Sequence, residues 1–179
     1  SYLGHANPMS WTHNELLRWP DIENEFYYKQ PPLLFTGTCE FTRWDSATVS
    51  GGEVLLMNPR GGTIATITSS RVTIISGNGS LCRNLAKHVF QPLDNGEMPR
   101  LGDIIKGAKN DFWYTHEASR NSAGTVVNIT QTNIDHSLKY SLLGDPALRL
   151  KYPKYEVRLT SVNGNAVDTA PLPETKARQ

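Results

Sequence analysis

Two hydrophobic rhythms divide the chain. An apolar run, Leu33-Leu34-Phe35, climbs into Thr36-Gly37-Thr38 and stops at Cys39, after which Glu40-Phe41-Thr42-Arg43-Trp44-Asp45 turns polar and charged. That pattern predicts a buried strand whose C-terminal end carries a side chain to the rim of a sheet, where open α/β sheets bind ligands. Thr63-Ile64-Ala65-Thr66-Ile67-Thr68 is β-branched at nearly every position and predicts a second strand covered on both faces. Between them Ser50-Gly51-Gly52-Glu53 has capping-box spacing and opens a helix through Val54, Leu55, Leu56 and Met57, which Asn58-Pro59-Arg60-Gly61-Gly62 ends. Strand, helix and strand make a βαβ unit, whose crossover is right-handed as a rule. Helical spacing follows twice, in Leu81, Leu85, Ala86 and Val89 over 78–90, and in Leu101, Ile104, Ile105 and Ala108 over 99–109.

The flanks are less regular. Tyr2-Leu3-Gly4 is a short apolar stub that ends at His5, a second strand end. Thr12-His13-Asn14-Glu15 repeats the capping-box spacing and predicts a short helix through Leu16, Leu17 and Trp19 that Pro20 stops, with residues 21–30 a connecting loop of helical character. Val72 to Ile75 reads as a loop or short extension, and residues 110–137 show no clear period. Lys139 to Leu143 predicts a strand, Gly144-Asp145-Pro146 a turn and Ala147 to Leu150 a second short strand. Tyr155 to Gly164 alternates in period two and ends in Asn163-Gly164, a hairpin signal. The fold class is α/β, with helices on a mostly parallel sheet over residues 1–152, followed by the start of a β domain or a linker over 153–179.

Composition narrows the function classes. The chain has 179 residues, enough for one domain with a core, and its net charge of +1 gives no basic field for nucleic acid or an anionic membrane. No apolar run approaches the roughly 18 residues of a membrane-spanning helix. The chain opens at Ser1-Tyr2-Leu3 as if cut inside a strand, and reads as a fragment of a longer protein. Its sheet edges would then be exposed, so the piece alone is expected to aggregate. The two cysteines, Cys39 and Cys82, give neither a disulfide framework nor metal-ligand spacing, and Cys82 lies on the helical stripe as a packing residue.

Cys39 and His5 at two strand ends are the minimum for a Cys/His nucleophilic site, in which the imidazole raises the thiolate fraction and later protonates the leaving group. The plainer reading is a packing cysteine and an ordinary histidine, and spacing alone does not choose. Glu40 would steer a basic substrate or simply pair with Arg43. Trp11 and Trp44 would wall a substrate cleft or pack the interior. Glu53 is explained by its capping role, His13 by an exposed helix start and Asp145 by its turn, while His88, His116 and His136 have no metal spacing. The sequons Asn78-Gly79-Ser80 and Asn128-Ile129-Thr130 carry no argument by themselves.

Longer stretches carry a resemblance. Gly4-His5-Ala6-Asn7-Pro8 with Trp11, Pro32 to Phe41, Ser50 to Glu53, Gly61-Gly62-Thr63-Ile64-Ala65 and Tyr140 to Leu148 together resemble the gingipain family of cysteine peptidases, family C25. The resemblance implies a caspase-like three-layer αβα sandwich, of which this chain is the C-terminal part, with no cofactor. It implies Cys39 as nucleophile, His5 as acid/base, and an oxyanion hole made by the backbone N–H groups of Cys39 and Ala6. The family has Gly where this chain has Ala6, which keeps the N–H but would be strained by about 1 kcal/mol or more at positive φ. The words around the cysteine, Thr38-Cys39-Glu40-Phe41 with Arg43-Trp44-Asp45, are closest to the branch that acts as surface sortase of bacterial type IX secretion. That branch implies protein substrates with a C-terminal secretion signal, other type IX components as partners at the outer membrane, and acyl transfer to lipopolysaccharide. A general secreted endopeptidase and a non-catalytic assembly scaffold of the same fold are the alternatives.

Overall fold

The computed structural model describes residues 1–116, 131–152, 159–162 and 165–167. Chain order is β1 (Tyr2–Leu3), β2 (Ser10–Trp11), β3 (Leu17–Arg18), α1 (Trp19–Glu25), β4 (Leu33–Gly37), α2 (Gly51–Met57), β5 (Ala65–Ser69) and α3 (Ile75–Val89). It continues with α4 (Leu101–His116), α5 (Gln131–Leu138), β6 (Tyr140–Leu143), β7 (Ser161–Val162) and β8 (Asn165–Ala166). The main sheet has order β1-β4-β5-β6; β1, β4 and β5 are parallel, and β6 closes the far edge antiparallel to β5.

Alternation along β4 builds the three layers. Leu33 and Phe35 pack against a core of Ala65, Ile67, Leu81, Leu85, Leu101, Ile104, Phe112 and Tyr140, so α3 and α4 cover that face. Leu34 points the other way, into Leu17, Ile22, Phe41, Val54 and Leu55, so α1 and α2 cover the opposite face. All five residues of β5 are buried, as the β-branched run predicts for a doubly covered strand. The stripe of Leu81, Leu85 and Val89 is buried along α3, which carries the predicted helix three residues further toward its N-terminus.

Three local expectations fail, each for a physical reason. Thr12 to Glu15 caps no helix: Thr12 and Glu15 take positive φ (62° and 53°) and turn the chain between β2 and β3, which pair antiparallel. The helix begins at Trp19 instead, with Pro20 in its first turn, where a missing N–H and fixed φ are favourable rather than disruptive. Ala147 to Leu150 forms no strand beyond a single bridge between Arg149 and Arg100. β7 and β8 pair antiparallel on either side of the predicted Asn163-Gly164 turn, which lies outside the described residues, as do residues 153–158 of that segment. The poorly patterned stretch holds the end of α4 and all of α5, with 117–130 outside the described residues, Asn128 among them.

Candidate active site

The parallel register of β1 on β4 places the two candidate side chains. Tyr2 lies opposite Thr36 and Leu3 opposite Gly37, and the Gly4 N–H donates to the Gly37 carbonyl at 3.1 Å. The ladder ends there: Gly4 and Cys39 lie in bends, and His5 and Cys39 each follow by two residues the C-terminal end of one of these neighbouring strands. Leu3 and Gly37 face α3, since a Cβ on Gly37 would meet Leu3, Cys82 and Asn78. The Cys39 sulfur lies on Thr73, two residues before α3 begins. His5 is exposed and Cys39 half-buried.

The cysteine end is held from the β5 side. The Thr38 carbonyl accepts hydrogen bonds from the Ser69 hydroxyl and, at 2.9 Å, from the Thr73 hydroxyl. The Thr73 N–H points at the Cys39 sulfur at 3.4 Å, and the Thr73 hydroxyl lies 3.7 Å from it. Glu40, directly after the cysteine, takes φ of 47°, a conformation that a non-glycine residue adopts only when its surroundings hold it. Its N–H donates to the Arg71 carbonyl at 3.3 Å, and the Thr42 N–H donates to the Ser69 carbonyl at 3.1 Å. Arg71 then grips Asp45 through both guanidinium ends, holding that carboxyl below the usual carboxylate range. The chain past Cys39 is thus laced to the chain past β5.

The capping-box helix ties in both loops. The Ser50 N–H donates to the Glu53 carboxylate at 2.8 Å, closing the predicted box. The next two N–H groups, orphaned at a helix start, go outward: Gly51 donates to the Pro8 carbonyl at 2.7 Å and Gly52 to the Phe41 carbonyl at 2.9 Å. Pro8 belongs to the His5 loop and Phe41 to the Cys39 loop. The paired glycines make this approach possible, because a Cβ on Gly51 would enter the Phe41 ring and one on Gly52 the Thr42 side chain.

Among the described residues the backbone N–H groups of His5, Ala6 and Cys39 make no hydrogen bond. Ala6 bridges Trp11 in a narrow pair whose bonds run from Asn7 to the Ser10 carbonyl and from Thr12 to the His5 carbonyl, which leaves the Ala6 N–H outside the ladder. Ala6 is not among the residues at positive φ, so alanine is accommodated without strain. The N–H and carbonyl of Gly37 face β1, and two residues on the Cys39 N–H faces the same side.

The other predicted residues separate. Trp11 stacks on Tyr2 with centroids 4.3 Å apart and leans on Phe41 at 5.4 Å, so it packs the base of the histidine arm. Trp44 is exposed on the loop past the cysteine, and Glu40 pairs with Arg43 at 3.2 Å. Cys82 lies in α3 as a free thiol, pushed up to about 11 by burial. Asn78 of the first sequon is buried and accepts from the Tyr140 hydroxyl at 2.7 Å. Among the described residues no group of three or more His, Cys, Asp or Glu is placed to hold a metal. Sequence reasoning missed Thr73, which lies four residues past the end of β5 in an apolar stretch; the polar residue inside Val72-Thr73-Ile74-Ile75 was the available signal.

Solved structures share this fold. The complex of Porphyromonas gingivalis RgpB pro- and mature domains superposes with a TM-score of 0.66 at 13% identity, over 84% of this chain and 33% of that one. The Arg-specific cysteine proteinase gingipain R superposes with a TM-score of 0.62 at 14% identity, over 84% of this chain and 32% of that one. A third structure, described only as a protease, gives 0.60 at 16% identity over 83% and 35%. The chain therefore spans about a third of the length of the structures it resembles. No curated protein matches the sequence. The α/β sandwich described above is thus the caspase-like fold of the gingipains. The model of peptidase family C25 matches residues 1–151, nearly the whole described sheet and its helices. On that match the chain belongs to peptidase family C25, the gingipain family of cysteine peptidases.

Proposed function

We propose that Cys39 and His5 form the nucleophile and the acid/base of a peptidase site, with the N–H groups of Cys39 and Ala6 as its oxyanion hole. The observation that carries this is the β1–β4 pairing, which brings the two strand ends side by side, with the N–H groups of Cys39 and Ala6 unengaged among the described residues. In the reaction the Cys39 thiol gives its proton to His5 and the thiolate attacks the scissile carbonyl carbon. The carbonyl oxygen becomes an oxyanion within reach of the two N–H groups. Collapse expels the amine, which takes its proton from the His5 imidazolium, and leaves a thioester on Cys39. An incoming water or amine then attacks the thioester, passes its proton to His5, and releases the acyl group as the thiol re-forms.

The wording around Cys39 favours a sortase of the PorU kind. Such an enzyme removes the C-terminal signal of type IX cargo at the bacterial outer membrane, with other secretion components as partners. The acyl group then passes from the Cys39 thioester to an amine of a cell-surface lipopolysaccharide, and the thiol is released. The test is mass spectrometry of the full-length protein after treatment with a peptidyl electrophile, comparing wild type with His5→Ala. Rapid modification of Cys39 alone, with Cys82 untouched and the rate collapsing in the variant, is the expected result. Slow modification that ignores His5 overturns the dyad and leaves a scaffold of the same fold. Sortase activity is read separately, as transfer of the acyl part of a cargo probe to an added amine with release of its C-terminal signal.

A further inference from the structure

Beyond the two residues of the proposed dyad, the side chains around the cysteine hold one arrangement that the reaction above does not use. The peptide between Thr38 and Cys39 is gripped at its carbonyl by two hydroxyls, Ser69 and Thr73, both carried by the chain at and beyond the end of β5. Both are buried, Ser69 completely and Thr73 at 9% exposure. In a trans peptide the carbonyl and the N–H point in opposite directions. Two donors pulling the Thr38 carbonyl toward β5 therefore aim the Cys39 N–H to the opposite side, that of β1. Thr73 reaches the other reactive atom as well, since its own N–H points at the Cys39 sulfur at 3.4 Å.

We infer that Thr73, seconded by Ser69, is a positioning residue for the peptidase reaction: its hydroxyl fixes the peptide plane that aims the Cys39 oxyanion donor, and its N–H seats the sulfur. The inference rests on the peptidase reading of Cys39. The Thr73 hydroxyl has a single proton. At 2.9 Å from the Thr38 carbonyl and 3.7 Å from the sulfur, that proton serves the carbonyl in the resting state.

This arrangement separates two kinds of chemistry at one sulfur. Acylation by a peptidyl substrate builds an oxyanion and needs the aimed N–H; alkylation by iodoacetamide displaces iodide and builds none. Loss of one oxyanion donor outright costs about 100- to 1,000-fold in kcat, so loosening the plane that aims it should cost less, about tenfold for Thr73→Val. Removing both hydroxyls should approach the full loss.

The experiment uses the full-length protein with a mixture of peptidyl aminomethylcoumarins as substrate and iodoacetamide as alkylator of Cys39. Thr73→Val is expected to lower kcat about tenfold with KM nearly unchanged, while its alkylation rate against pH overlays that of wild type. Thr73→Ser, which keeps the hydroxyl, is expected to restore turnover, and Thr73→Val with Ser69→Ala to fall further. Equal turnover in wild type and Thr73→Val overturns the inference alone. A parallel fall in turnover and alkylation, unrescued by serine, also overturns it, since it reports a disturbed fold. A wild type that alkylates but acylates nothing overturns the peptidase reading, and this inference with it.

Discussion

His136 should make the fold sensitive to mild acid. It sits in α5 at 2% exposure, its ring stacked on Phe112 at 5.6 Å and tilted on Tyr140 at 5.8 Å. Its edge lies over Gly77, where any Cβ would collide with the ring, and its Nε2 has no hydrogen-bond partner among the described residues. Burial first, and the charge of Lys139 second, lower its pKa from 6.5 to about 4. A charge on this ring is therefore much costlier folded than unfolded. The unfolded chain takes up the proton below about pH 6.5, and the folded chain only near pH 4, so stability is full above that window and drains away within it. From those two values the loss is about 2 kcal/mol at pH 5 and about 3 kcal/mol at pH 4, against nearly nothing at pH 7.5. The assay is urea unfolding of wild type and His136→Leu across pH 7.5 to 4. Asp21, Asp45, Asp103 and Asp111, held low by Arg18, Arg71, Arg100 and Lys87, add an acid loss of their own, but both proteins share it. The difference between the two curves isolates His136. Parallel curves, with the leucine variant losing as much as wild type between pH 6.5 and 4, would refute the argument.

Two further outcomes follow from local geometry. Gly62 has φ of +62°, and a Cβ there would overlap the Leu55 carbonyl oxygen at the end of α2, so Gly62→Ala should cost more than about 2 kcal/mol. A melting temperature within a degree of wild type would contradict this. Cys82, pushed up to about 11 by burial, should react with iodoacetamide only slowly at pH 8 and about tenfold faster at pH 9, as its thiolate fraction rises. A Cys82 rate, read by peptide mass spectrometry, that is flat between those pH values would show that the thiol is not desolvated.

Much of the frame was legible because several levels of the sequence agree there. Leu33 to Cys39 reads as a strand ending at a rim, Ser50 to Glu53 as a helix start and Leu81 to Val89 as a buried stripe, and in each case pattern and local chemistry point the same way. The stretch from Ser10 to Glu25 misled for the opposite reason. Thr12 and Glu15 have capping-box spacing, yet the stacking of Trp11 on Tyr2 belongs to a two-residue strand, too short for any period to show. Pro20 was ambiguous by itself, since proline both stops a helix and starts one. In the candidate site Cys39 and His5 read as strand ends, and Ala6 enters only through the family resemblance. Thr73 was not legible, because it reaches Cys39 across 34 residues of sequence, by a hydrogen bond that only the β4–β5 pairing creates.

The pairing of β1 with β4 has a consequence for how durable the two halves of the site are. β4 is five residues long, flanked on both sides and sealed between helices, so what it carries is fixed by the interior. β1 is two residues long and, among the described residues, pairs with β4 alone; the arm beyond it is fastened by the Trp11 ring on Tyr2, by Thr12 on the His5 carbonyl and by the Pro8 carbonyl on α2. Elements with so few buried contacts open at a small fraction of the global free energy. Of the proposed pair, the thiol is thus built into the wall and the imidazole carried on a short arm, with Tyr2 and Trp11 as its clasp.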